Sequence, residues 1–225
     1  MARKSTFDRV PNDWYATPRH AVLPLIPYLP QSPFTFMNPC AGRGHGIARL
    51  AEEAPQGICT AAFWIPGNGT QPEPAAPAPG KIVLGNSWDD EDSNFVENWP
   101  SRSVASMIIS NPVYRNDWLF PLLTRAVADG RPSWWLIPSD KLFTHLWAEI
   151  NPHARKTVPV GRVKWFPGSK YGGTQNFVWV LLDPETPGEH VLLDRPRTRR
   201  VDIDEPFEDP LDPAKLLPDG SRLAA

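Results

Sequence analysis

Hydrophobic positions along the chain switch repeatedly between helical and strand spacing. Ala21, Val22, Leu25, Ile26 and Leu29 recur on one helical face, but Pro24, Pro27 and Pro30 limit the segment to a short or kinked helix. Thr17 and Pro18 suit its start, as N-cap and first helical residue. Phe34 to Met37 reads as a strand closed by a glycine-rich turn, Ala41 to Gly46, after which Ile47, Leu50 and Ala54 resume helical spacing. Further strands are expected at Gly57–Ile65, Lys81–Leu84, Val104–Ser110 and Ser133–Ile137. Trp134 and Trp135 lie within the last of these and are expected in the core. Helices are expected over Trp118–Val127, stopped by Gly130, and over Lys141–Ile150. Val158–Phe166 and Asn176–Leu182 form a final strand pair around Gly168–Gly173.

Strands alternating with helices at this spacing define an α/β fold with a mostly parallel sheet, made mixed by a terminal antiparallel pair. Such sheets bind ligands at the carboxyl ends of their strands, where the strand order reverses. The glycine turn after the first strand and Asn111–Tyr114 after the fourth both belong at that edge. The expected organisation is a flexible N-terminus at 1–13, one domain over 14–183 and a Pro/Asp-rich tail at 184–225. Residues 66–80 are a Pro/Ala-rich loop within the domain.

Composition narrows the picture. Proline reaches 28 of 225 residues, which argues against a helical bundle, while 41 % hydrophobic residues and ten Trp argue against disorder throughout. Two cysteines cannot build a disulfide framework, and Cys40 and Cys59 are expected as packed thiols in a reducing cytoplasm. No apolar run is long enough for a membrane span, and the opening MARKSTFDRVPNDW lacks a signal-peptide core. Residues 1–182 carry 17 Lys+Arg against 14 Asp+Glu, whereas 183–225 carry 6 against 11. The body is mildly basic and the tail acidic, which permits a local basic cleft. Five histidines, at 20, 45, 145, 153 and 190, are scattered without metal-ligand spacing, so no metal is expected.

Two segments carry candidate chemistry. In Asn38–Pro39–Cys40–Ala41–Gly42–Arg43–Gly44–His45–Gly46, glycines allow close backbone approach and the following helix offers unpaired N–H groups. The third glycine comes one residue too early for the dinucleotide fingerprint, and a ligand-free strand-to-helix turn explains the segment equally well. In Asn111–Pro112–Val113–Tyr114, the Asn side-chain oxygen and the Pro112 carbonyl can both accept from one amino group, and Tyr114 can stack on a planar base. An ordinary Asn-Pro turn is the simpler alternative.

Taken together, these segments resemble the class I S-adenosylmethionine-dependent methyltransferases, most closely the short DNA adenine-N6 enzymes of bacteriophage and prophage. Tyr15–Ala16–Thr17–Pro18 is similar to the family's Tyr-x-Thr-Pro motif, and Asn38 to Gly44 to its acid-Pro-Cys-Ala-Gly-x-Gly cofactor loop. Asn111 to Tyr114 resembles the Asp/Asn-Pro-Pro-Tyr catalytic motif. Arg162–Val163–Lys164–Trp165–Phe166, Gly168–Ser169–Lys170 and Asn176–Phe177–Val178–Trp179 resemble the late strand pair. The resemblance implies a Rossmann-like class I methyltransferase sheet. It also implies S-adenosyl-L-methionine held by Tyr15, Thr17, Pro18, Asn38, Pro39, Ala41, Gly42, Gly44 and Gly46, with Asn86 and Ser87 near its adenine. A base flipped from DNA would stack on Tyr114 while Asn111 and Pro112 hold its exocyclic amine. Lys164 and Lys170 are candidate phosphate contacts, as is the Arg195, Arg197, Arg199 and Arg200 patch, although solvated surface is the simpler reading.

The chain departs from the family pattern in three places. Asn38 replaces an acid, Phe63–Trp64–Ile65–Pro66 supplies no acid after the second strand, and Val113 replaces a proline. Each charged hydrogen bond lost is worth about 1.5–3 kcal/mol. Two classes therefore compete: an active DNA adenine methyltransferase, or a methyltransferase-fold protein that has lost catalysis and binds DNA or protein as an accessory or counter-defence factor. An RNA or protein substrate is a lesser alternative.

Overall fold

The computed structural model describes residues 16–41, 44–64, 83–86, 99, 105–165 and 173–195. Eight strands form one sheet: β1 (Phe34–Asn38), β2 (Gly57–Trp64), β3 (Val83–Asn86), β4 (Met107–Ser110), β5 (Ser133–Pro138), β6 (Ala154–Arg162), β7 (Asn176–Leu182) and β8 (Val191–Leu192). Their order is β3-β2-β1-β4-β5-β7-β6-β8. β1 to β5 pair in parallel, β7 runs antiparallel to both β5 and β6, and β8 adds in parallel beside β6. This is the mixed, mostly parallel sheet that the sequence pattern implied, with the antiparallel pair in place, in the Rossmann-like form that the resemblance implied.

The sheet is covered on both faces, and the alternation of adjacent side chains explains why. Trp134 and Trp135 are neighbours on β5, both buried, and belong to opposite cores. On one face Trp134, Phe36, Ile109 and Trp179 pack against Ala21, Val22 and Leu25 and against Ile47 and Leu50 of the helix after β1. On the other, Trp135, Met37, Ile108 and Val180 meet Leu119, Leu122 and Leu123.

Helix α1 is only Arg19–Val22, followed by a 3-10 turn at Ile26–Tyr28, as the prolines dictate. Its cap differs from expectation. Pro18, in extended conformation, is the N-cap, and no side chain caps the helix; the Thr17 hydroxyl is engaged elsewhere. Helix α2 spans His45–Glu53, and α3 spans Asn116–Asp129 with Pro121 inside it and Gly130, at φ 85°, ending it.

Three further segments depart from the sequence reading. No α-helix forms over Lys141–Ile150, where three 3-10 turns (Ser139–Phe143, His145–Glu149, Asn151–His153) follow one another. Thr144 is the cause: its hydroxyl and its N–H both donate to the Lys141 carbonyl, at 2.9 and 3.3 Å, and its backbone turns extended. β6 begins at Ala154, earlier than expected, because Pro159 and the φ 86° Gly161 obscure its alternation. Finally, the segment read as a tail, 184–225, contributes β8 to the sheet edge. It is held by Leu193 N–H to Thr157 O (2.8 Å) and by the Tyr28 hydroxyl to Asp194 O (2.7 Å). The expected flexible N-terminus (1–13), the 66–80 loop and the chain beyond 195 lie outside the described residues.

Candidate functional site

The strand order reverses between β1 and β4, so the segments leaving these two strands face one another. Asn38, the last residue of β1, is buried. Its Oδ1 accepts twice, from the Cys40 N–H at 3.1 Å and from the Ser110 hydroxyl at 2.9 Å. The first bond folds the turn after β1; the second joins it to the end of β4. Asn38 Nδ2 lies 3.8 Å from where a Cβ on Gly46 would be.

The turn enters α2 through Gly44, whose φ of 87° a side chain would strain. The Gly44 N–H donates to Ala41 O at 2.8 Å, and the first intrahelical bond runs from Ala48 N–H to Gly44 O (2.9 Å). Earlier N–H groups therefore have no acceptor within the helix. Gly46 packs closely on this side: a Cβ there would sit 3.4 Å from Thr17 Oγ1. Thr17 in turn accepts a hydrogen bond from Asn111 Nδ2 at 3.1 Å. Thr17, Asn38, Gly46, Ser110 and Asn111 thus line one cavity of about 10 Å³. That volume suits one water or one small polar group.

Tyr114 stands beside Asn111, and its hydroxyl donates to Asn111 Oδ1. Its ring lies 5.3 Å from that of Phe177 and 6.2 Å from that of Trp165, which meet edge to face at 5.1 Å. Val113 is buried, filling the place of the absent proline with packed apolar volume. The Lys164 backbone N–H donates to His20 Nε2 at 3.1 Å, tying the exit of β6 to α1.

Of the residues singled out from the sequence, Thr17, Asn38, Gly46 and Asn111 converge on the cavity, with Ala41 also in its wall. Pro18 and Gly44 shape the approaches; Pro39, Pro112 and Tyr114 belong to the same strand-end segments. Asn86 ends β3, at the far edge of the sheet. Tyr15, Gly42, Ser87 and Lys170 lie outside the described residues. Ser110 was missed. Its signal was a hydroxyl closing an otherwise apolar buried strand, a position that demands a partner.

Both cysteines are free and buried. Burial pushes the Cys40 thiol up to about 12, against opposing hydrogen bonds from Ser110 and the Val113 backbone. Cys59 is likewise pushed to about 12 by burial. Neither is poised as a nucleophile. Among the described residues no cluster of three His, Cys, Asp or Glu could hold a metal, and no helix is long and apolar enough to cross a membrane.

No protein-family model matches the chain, and no curated protein matches it. Solved methyltransferase structures do. A type I restriction-modification methyltransferase subunit from Streptococcus thermophilus aligns over 80 % of this chain and 47 % of its own, at 10 % identity and TM-score 0.49. A modification subunit assigned to a type I restriction enzyme of Vibrio vulnificus gives 82 % and 48 %, 12 % identity and 0.48. A protein described as an RNA methyltransferase from Pyrococcus horikoshii gives 80 % and 94 %, 14 % identity and 0.48. The chain spans about half the length of the two restriction-system subunits. At such identities the likeness concerns the fold, and the functional argument rests on the site.

Proposed function

We propose that this protein is an S-adenosylmethionine-dependent methyltransferase that modifies the exocyclic amine of adenine in DNA, consistent with a phage or prophage role. One observation carries the reading. Three segments separated by up to 94 residues, around Thr17, Asn38–Gly46 and Ser110–Asn111, meet at a single cavity at the reversal point of the sheet.

The residues present fit the polar end of the cofactor: the turn after β1 enters α2 through the left-handed Gly44, and the side chains of Thr17, Asn38 and Asn111 line the cavity beside Gly46. Thr17, Asn38, Ala41, Gly44 and Gly46 would hold it, with Pro18 and Pro39 shaping the approach. When bound, S-adenosylmethionine supplies an electrophilic methyl group. The protein's own task is positioning. Asn111 Oδ1 and the Pro112 carbonyl accept from the target amine, which frees the nitrogen lone pair for attack. Tyr114, braced by Phe177 and Trp165, offers its ring to the base.

A second reading, a lapsed enzyme that binds DNA or protein, is favoured by a different observation. Both ends of the Asn111 amide are already occupied, by Thr17 and Tyr114. Calorimetric titration of S-adenosylmethionine separates the two. Binding followed by methyl transfer to adenine in plasmid DNA, read with methylation-sensitive nucleases, supports the enzyme. No heat at millimolar cofactor from folded protein supports the lapsed form.

A further inference from the structure

β8 is a strand with little apolar surface to bury. Val191 and Leu192 are both exposed, and only the following Leu193 packs against the core. What the strand fixes is a direction. β8 runs parallel to β6, and β6 is antiparallel to β7 as β7 is to β5, so β8 points the same way as β1 and β4. The chain leaving β8 therefore heads for the carboxyl edge of the sheet, where Asn38 and Asn111 lie. Two bonds hold it on that course, Leu193 N–H to Thr157 O at 2.8 Å and the Tyr28 hydroxyl to Asp194 O at 2.7 Å.

That course brings Arg195 onto β6 at Gly161. A Cβ on Gly161 would stand 3.2 Å from Arg195 Nη1, and the φ of 86° already disfavours a side chain, so the guanidinium lies over bare backbone. Gly161 is the register partner of Phe177, whose ring is 5.3 Å from that of Tyr114. Arg195 thus stands one strand away from the aromatic group that braces Tyr114. Arg162, exposed at the end of β6, adds a second cation at the same edge. Among the described residues neither arginine pairs with a carboxylate, and the neighbouring Asp194 pairs with no cation.

From this placement we infer that Arg195, with Arg162 beside it, grips a DNA backbone phosphate next to the target nucleotide. The inference rests on the reading of DNA as substrate and names a contact for it. A guanidinium presents a planar fork of donors that matches two phosphate oxygens. Phosphate contacts set the register of a protein on a duplex, and extruding a base requires that register to hold while the stack opens. The strap from β8 supplies it, tying a cation to β6 at a fixed place relative to the ring of Tyr114.

Fluorescence anisotropy with a labelled, adenine-containing duplex, at salt from about 50 to about 200 mM, tests this on wild type, Arg195→Gln and Lys156→Gln. Lys156, exposed near the start of β6, carries the same charge away from the carboxyl edge. Arg195→Gln is expected to bind at least about threefold more weakly at low salt, and its log–log salt slope to be shallower by about 0.9, the release expected from one phosphate contact. Lys156→Gln should keep the wild-type slope, and S-adenosylmethionine should bind all three proteins alike. An Arg195→Gln slope equal to wild type, or an equal loss in Lys156→Gln, overturns the inference and leaves the methyltransferase reading standing. The expected slopes from a protein that binds no S-adenosylmethionine support the inference and select the lapsed form. If folded wild type does not bind the duplex, the inference falls together with DNA as substrate, and cofactor titration alone decides whether a methyltransferase acting elsewhere remains.

Discussion

The Ser110 hydroxyl donates to Asn38 Oδ1 at 2.9 Å, joining the ends of β4 and β1 across 72 residues of chain. Both groups are buried, so the bond fixes the separation of the two site-bearing segments in a place where water cannot substitute. Ser110→Ala leaves one Asn38 lone pair without its partner. It is expected to lower stability by about 1–3 kcal/mol in urea unfolding. Ser110→Cys, which keeps a weak donor, should lose less.

Asp129 and Arg131 form a buried pair beneath the C-terminal end of α3. The Arg131 guanidinium reaches both carboxylate oxygens, and the Trp99 indole N–H adds a third bond at 2.8 Å. Burial alone would raise the Asp129 pKa, but the bonds and charge of Arg131, with Trp99, hold it below the ordinary carboxylate value. Asp129→Ala strands a buried cation and is expected to cost about 3–5 kcal/mol. Because the folded pKa is depressed, this stabilisation is complete above the unfolded value of about 4 and is lost as pH falls through the folded one. The gap in urea midpoint between wild type and Asp129→Asn should therefore be wide at pH 7 and close progressively below about pH 4.

Alternating apolar patterns placed the sheet, and with it the edge where Asn38 and Asn111 lie, because those patterns are local. The contacts that make the edge a site are not local. Thr17 fits the statistics of an N-cap, yet its hydroxyl is taken by Asn111, 94 residues away, and a tertiary bond displaced the local one. Likewise Thr144 turned a helical pattern into 3-10 turns through one carbonyl, a competition that periodicity does not record. β8 is two residues long with both side chains exposed, so it leaves no apolar alternation to read.

That short strand nonetheless matters for stability. β8 covers the edge of β6, where Thr157 is buried and its hydroxyl lies 2.7 Å from His190 Nε2. Truncation after Asp183 removes this cover together with the bonds to Thr157 O and from Tyr28. The shortened protein is expected to unfold at lower urea and to associate through its bared strand edge, measurable by light scattering.

Cys40 and Cys59, with thiols pushed to about 12 by burial, carry thiolate at only about one part in ten thousand at pH 8. Ellman's reagent at that pH should find no fast-reacting thiol in native protein and two after denaturation. Fast labelling of Cys40 in the native state would mean that the turn after β1 opens readily.

Tyr114 and Thr17 hold the Asn111 amide from its two ends, the Tyr114 hydroxyl at Oδ1 and the Thr17 hydroxyl at Nδ2. Under the proposed reaction, Oδ1 accepts from the target amine, so the tyrosine hydroxyl both orients the amide and shares its acceptor. Tyr114→Phe retains the ring against Phe177 and Trp165 and removes one orienting bond, worth about 1 kcal/mol. Turnover is expected to fall about fivefold, with the cofactor Kd unchanged. Thr17→Val removes the other orienting bond together with a hydroxyl facing the cavity, so turnover and cofactor binding should weaken together. Asn111→Ala removes the acceptor itself and should reduce methyl transfer by at least about a hundredfold, the scale seen when a positioned polar group is deleted from a reacting centre. Radiolabelled methyl transfer to duplex DNA, with calorimetry for cofactor binding, checks all three. An Asn111→Ala variant with full activity would refute the role assigned to that residue.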